Sequence, residues 1–236
     1  DAINLTVTSM RFDPENAGLA DILDKVVALK SGVESEARNQ RMRQMEQAYV
    51  QDTNSFSNAI VLADEWLKNG KSSDAQVLLL HTLPMLQKKN EANPGDAETA
   101  IYLFEAYRML SQAELARQTI MKLVESENVT LAALVASAQA ILKLGDAAGT
   151  EAILRKAVEM APENEEIQYD LAAMQTILGR RDEALANLNA ALALNRAHRQ
   201  TNANTRSLDK MLIMDQRFNT LKGDPSFPAV EVEMKN

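Results

Sequence analysis

Apolar residues recur along this chain at three- and four-residue spacing, in short runs separated by polar or glycine-containing turns. Three run pairs stand out: "AETAIYLFEAYRML" with "AELARQTIMKLV", "LAALVASAQAIL" with "AAGTEAILRKAV", and "EEIQYDLAAMQTIL" with "RDEALANLNAAL". That period places one apolar stripe on each helix, so the pattern predicts paired amphipathic helices. Gly145 and Gly179 sit 34 residues apart between the paired runs, and one further step back lands on Ser111. Leu110, Leu144 and Leu178 each precede the turn. Ala157 and Ala191 recur at the same interval, where two helices crossing closely leave room only for a small side chain.

Start and stop signals agree with these boundaries. Asp96, Thr130 and Asn164 stand where an N-cap side chain accepts from free backbone N–H groups. Gly70, Gly145 and Gly179 suit the left-handed residue that ends many helices, and Pro162 follows a helix end. A further copy lies upstream, with Leu62, Ala63 and Trp66 before the turn at Gly70 and Ala75 and Leu79 after it. Its excess of seven residues falls in "PMLQKKNEANPGD", which reads as an extended second helix, kinked at Pro84, plus a longer loop.

A helix pair repeated every 34 residues resembles the tetratricopeptide repeat. Leu171 and Ala172, the Gly179 turn, and Ala184 and Ala191 match that family's pattern in the last copy. Leu103, Tyr107 and Ala116 match it two copies earlier, and Leu62, Ala63, Trp66 and Ala75 match it in the first. Ser137, Thr150, Gln175 and Arg196 depart from the usual Leu, Ala, Tyr and Pro. The resemblance covers residues 54–198, with repeats near 56–96, 97–130, 131–164 and 165–198. It implies an all-α fold, a right-handed α-solenoid of about four helix-turn-helix repeats with helical flanks, of the kind found in bacterial arrays.

The flanks differ from the repeats. Residues 1–53 begin with the β-like run "INLTVTS" and continue as two helical runs, either a degenerate repeat or a helical pair covering the first unit. Residues 199–236 read as a capping helix followed by a small nine-residue repeat, Asp215 with Asp224, Phe218 with Phe227 and Leu221 with Val230. It is similar to Asp-x-x-Phe turns that close many tetratricopeptide arrays. A cap is needed, because the final apolar face otherwise meets water.

Composition narrows the function. The 236 residues carry a net charge of −8, with no cysteine and only 4% aromatic residues. An acidic chain argues against nucleic acid or an anionic membrane surface as partner. No apolar run reaches the length of a membrane span. The chain begins at Asp1, which suggests a processed or excised piece, exported or membrane-anchored with the anchor removed; a cytoplasmic location is the alternative. His81 and His198 have no metal-ligand spacing, so neither metal nor cofactor is expected; His81 should pack within its helix and His198 should face solvent. "LKNGKSS" lacks the first glycine of a phosphate loop and reads as a turn. Arg38, Arg41 and Arg43 form a basic cluster that either faces solvent or meets an acidic partner.

The resemblance implies a concave groove lined by the first helix of each repeat. Carried over by position, the groove residues are Ile60, Asp64, Ile101, Glu105, Arg108, Val135, Gln139 and Tyr169, with Tyr102 and Asp170 adjacent. The Lys/Asn clamp that some members use for a C-terminal carboxylate is missing from these positions. An apolar floor with carboxylates favours a protein or peptide segment carrying apolar anchors and basic residues. In the competing expectation the terminal helices fill the groove. The chain therefore reads as a non-enzymatic interaction scaffold; the alternative is a soluble regulatory domain of a larger enzyme or membrane protein, such as a glycosyltransferase or a secretion component.

Overall fold

The computed structural model describes residues 17–202 and 204–229, and the side chains from residue 30 onward with the exception of Ser31. The expected β-like run at 3–8 and Val230 lie outside the described residues. The described chain is all-α and built of helix hairpins of the tetratricopeptide type. It divides into two compact units, residues 1–82 and 83–236.

In the first unit, α1 (Ala17–Gln51) turns back into α2 (Phe56–Lys68), and α3 (Ser72–Ala92) follows. The sequence pattern predicts two helical runs before residue 53, and here one helix runs unbroken through Gly32. A single glycine inside a helix costs only about 1 kcal/mol, too little to end one this long. α2 starts at Ser55, whose hydroxyl accepts from the Asn58 N–H at 3.2 Å. α3 holds Pro84 within its span. Proline offers no N–H and crowds the carbonyl four residues back, and the two units divide between Thr82 and Leu83, next to it. The expected longer loop is only the short link between Ala92 and Ala97, because the extra residues extend the helix.

The second unit holds three hairpins: α4 (Ala97–Met109) with α5 (Ala113–Val124), α6 (Leu131–Lys143) with α7 (Ala147–Met160), and α8 (Glu165–Ile177) with α9 (Arg181–Thr201). A short helix α10 (Leu208–Met214) and a single 3-10 turn, Gln216–Phe218, complete it. Thr130 and Asn164 cap α6 and α8 through their side chains, as expected. Asp96 instead takes the Thr99 hydroxyl at 2.5 Å. Hydrogen bonds from Thr99 hold its carboxyl below its ordinary pKa against the opposing effect of burial.

The turn residues behave as one class. Gly70, Gly145 and Gly179 have φ of 76°, 76° and 73°. Ser111, aligned with them by interval alone, has φ 60° and is the non-glycine residue with positive φ among the described residues. The same wrapped bond closes three of the four turns: Lys71 N–H to the Trp66 carbonyl, Gln112 to Tyr107, and Arg180 to Gln175, at 2.8–2.9 Å.

The repeated alanines also share one role. Ala75, Ala116, Ala157 and Ala191 are all fully buried, as is Ala184. Ser137 and Thr150, which depart from the family pattern, are buried too. The Thr150 hydroxyl is satisfied by the Asp146 carbonyl at 2.8 Å, so threonine substitutes for alanine without a stranded polar group. Ion pairs add register between hairpins. Arg117 reaches Asp146 at 3.1 Å, and Arg180 reaches the nearly buried Glu151 at 3.2 Å, which also takes Arg155 of its own helix at 2.5 Å.

Candidate peptide-binding surface

In the second unit, the first helices of the three hairpins present two neighbouring clefts. One lies between α4 and α6, about 310 Å³, with Ile101, Tyr102 and Glu98 on one side and Ala132 and Ala136 on the other. The second lies between α6 and α8, about 150 Å³, with Val135, Gln139 and Leu142 facing Asp170 and Met174. Family positions chosen from sequence thus line real clefts: Ile101 and Tyr102 the first, Val135, Gln139 and Asp170 the second.

Between the clefts sits a charge cluster. Glu105 pairs with Arg108 on its own helix at 2.7 Å and with Lys143 of the next hairpin at 2.5 Å. The repeat position predicts that this carboxylate faces a ligand, and these two cations occupy it instead. Arg108 is tied to the same carboxylate. The first unit differs more. Ile60 is buried at 6% exposure, because it packs into the hairpin interior. Asp64 pairs with Lys68 one turn along α2.

The end of the surface is covered by the chain itself. Tyr169 is only 1% exposed. Phe218 packs edge-on against it with ring centroids 5.1 Å apart, and Arg217 lies over it at 5.8 Å. The Tyr169 hydroxyl donates to Asp215 at 3.1 Å, and Arg217 bridges Asp215 at 2.7 Å and Asp170 at 3.2 Å. Burial first, and then the Asp215 charge, push the Tyr169 hydroxyl well above its ordinary pKa. Burial acts to raise Asp215 as well, but Arg217 outweighs it and holds that carboxyl low. The groove expectation has Tyr169 meeting a ligand; here Arg217 and Phe218 of the C-terminal segment cover its ring.

The nine-residue repeat explains how the segment is held. Asp215 accepts from the Arg217 N–H at 3.0 Å, and Asp224 accepts from the Ser226 N–H at 2.7 Å, so both copies form the same side-chain turn. Asp224 also pairs with Arg181 at the start of α9. Sequence reasoning missed the role of Arg196. It departs from the usual proline because α9 continues to Thr201, and its guanidinium grips the buried Asp209 of α10 at 2.7 and 3.1 Å. Its other bond goes to the Ala229 carbonyl at 2.7 Å. The departure itself was the available signal, since a proline there would have ended the helix and removed the cation.

Other expected features fall elsewhere. His81 is exposed, beside Trp66 and Tyr49 in a shallow cleft of the first unit, and not packed inside its helix. Within that cleft Glu46 accepts from the Trp66 indole at 3.0 Å and from Lys71 at 3.2 Å. The Trp66 bond is the largest influence holding Glu46 low, against burial. His198 is exposed and pairs with Glu165 at 2.9 Å. Among the described residues no group of three or more His, Asp or Glu is placed to hold a metal ion, and no helix is long and apolar enough to cross a membrane.

The hairpins, their left-handed turns and their buried alanines define a tetratricopeptide-like helical repeat. No protein-family model matches the chain, and no curated protein matches it. Solved structures similar to it include a MamA protein at 16% identity and TM-score 0.44, covering 73% of this chain and 91% of that one. Another MamA structure has 16% identity and TM-score 0.43, covering 72% and 95%. MamA residues 41 to the end from Desulfovibrio magneticus RS-1 gives 13% identity and TM-score 0.43, covering 71% and 91%.

Proposed function

We propose that this chain is a non-catalytic protein-interaction module that binds an extended or helical peptide segment across the first helices of its second unit. The observation that carries the reading is the pair of consecutive clefts with apolar floors and charged rims along the first helices, the second also bounded by Thr150 and Leu154 of α7 and by Arg217 of the C-terminal segment. Leu142, 44% exposed at the lip of the second cleft, adds apolar contact area beside its floor. The partner chemistry is apolar anchors beside polar or charged groups.

The test is selection of binders from a random peptide-display library on the intact chain, followed by measurement of each binder on Leu142→Glu. A carboxylate at the lip of an apolar cleft should weaken selected peptides by about tenfold or more, since burying it unpaired is costly. Binders that hold equally well to Leu142→Glu, with its melting curve unchanged, would move the binding surface elsewhere.

A further inference from the structure

The last repeat shows what kind of segment this face accepts, because the chain's own C-terminal segment sits there. Tyr169 supplies a ring and Asp170 a carboxylate, and against them lie an arginine and a phenylalanine adjacent in sequence, Arg217 and Phe218. The chemistry is specific on both sides. The phenyl ring packs edge-on against the tyrosine, and the guanidinium lies over that same ring while it bridges the carboxylate. Phe218 is fully buried in this arrangement.

The cleft between α4 and α6 offers the same two groups two repeats earlier. Tyr102 and Glu98 stand one turn apart on α4, and the tyrosine hydroxyl donates to the carboxylate at 3.0 Å. The ring comes one position later in the repeat than Tyr169, since Tyr102 aligns with Asp170 and Ile101 with Tyr169. Ile101 and the facing Ala132 and Ala136 form an apolar pocket beside them, within a cleft of about 310 Å³. Unlike Glu105, Glu98 is exposed. Its bond to Tyr102 leaves the second oxygen and a full negative charge for a ligand.

We infer that the α4–α6 cleft binds a partner segment carrying arginine next to an aromatic residue, the aromatic ring entering the pocket beside Ile101 and the guanidinium bridging the Tyr102 ring and Glu98. This rests on the proposed interaction role and names its ligand. The chain's own Arg217–Phe218 pair, set against Tyr169 and Asp170, shows that these two side chains together satisfy a tyrosine ring beside a carboxylate. Arginine suits the site better than lysine, because a planar guanidinium both stacks on a ring and donates to a carboxylate.

The probe is a fluorescein-labelled peptide copying residues 215–220, titrated against the intact chain by fluorescence anisotropy. Saturable binding is expected, weakened about tenfold by Arg→Ala or Phe→Ala in the peptide, on the scale of a lost cation–π or aromatic contact. In the protein, Tyr102→Ala should cost about tenfold, Tyr102→Phe much less, and Glu98→Gln several-fold with a flatter salt dependence. Both residues lie toward the surface, so melting curves should match the wild type. No saturable binding, or binding equal in wild type and Tyr102→Ala, overturns the inference. The library selection separates the two readings. Leu142-dependent binders without an arginine–aromatic pair would sink this ligand assignment and leave the interaction role standing. Binders weakened by neither Leu142→Glu nor Tyr102→Ala would sink the role itself.

Discussion

Tyr102 and Tyr169 lie on the first helices of hairpins two repeats apart, and they meet opposite fates. Tyr169 is sealed beneath Phe218 and Arg217 of the same chain. Tyr102 is half-buried and lines an open cleft, its hydroxyl bound only to Glu98 of its own helix. The rings stand one position apart in the repeat, since Ile101 aligns with Tyr169 and Tyr102 with the exposed Asp170, so register accounts for part of the difference. The neighbour on the C-terminal side of each hairpin accounts for the rest. The last hairpin has no next hairpin, and the chain closes it with a segment anchored at Asp209, Asp215 and Asp224. A repeat array buries each unit against its neighbour, and the terminal unit must find another cover.

The largest way to break the comparison is Phe218→Ala. Removing a fully buried ring from a close-packed site should cost about 3–5 kcal/mol. The same change should make Tyr169 resemble Tyr102. A spectrophotometric alkaline titration should then show one more tyrosine ionising near the ordinary value of about 10. A melting midpoint indistinguishable from wild type, and an unchanged titration, would mean the segment does not cover Tyr169 in solution.

A gentler change lowers pH. Asp215 is depressed in the folded chain, chiefly because Arg217 outweighs the effect of burial. A depressed carboxyl contributes stability above its unfolded value of about 3.9 and loses it as pH falls through the folded value. Asp215→Asn should therefore melt below the wild type at neutral pH, and the gap should close as pH falls below the unfolded carboxyl value and through the depressed folded one. A gap that persists unchanged into acid would deny Asp215 its role in fastening the segment.

The smallest effect concerns the turns. Ser111 adopts the left-handed conformation that its three equivalents reach with glycine. Relieving a penalty of about 1–2 kcal/mol, less the entropy glycine loses on folding, leaves a gain of about 0.5–1 kcal/mol for Ser111→Gly. A chemical denaturation midpoint that falls would show the turn is not equivalent to the others.

Much of this is legible in the sequence. The 34-residue interval between Gly145 and Gly179 leads to Ser111, whose conformation cannot be read from its own identity. Buried alanines follow from the same interval, because close helix crossings exclude larger side chains. The fate of the groove carboxylates is legible only in part. Lys68 four residues after Asp64 and Arg108 three after Glu105 are same-helix pairs that spacing reveals. Lys143 on Glu105 is not, because a helix-face assignment says nothing about which cation a neighbouring hairpin brings within reach. The Asp-x-x-Phe repeat is visible, but the ring that Phe218 covers depends on the return path of a loop, which no periodicity encodes. The unbroken α1 is hidden because a glycine signals a stop even where the helix tolerates it.

The central claim is that partners bind on the first helices of the second unit, and hydrogen–deuterium exchange with the Arg–Phe probe peptide at saturation tests it most directly. The account predicts new protection in α4 and α6, centred on residues 97–109 and 131–143, with α5 and α7 unchanged. Protection confined to α5 and α7, or to the first unit, with α4 and α6 exchanging as in the free chain, would contradict it.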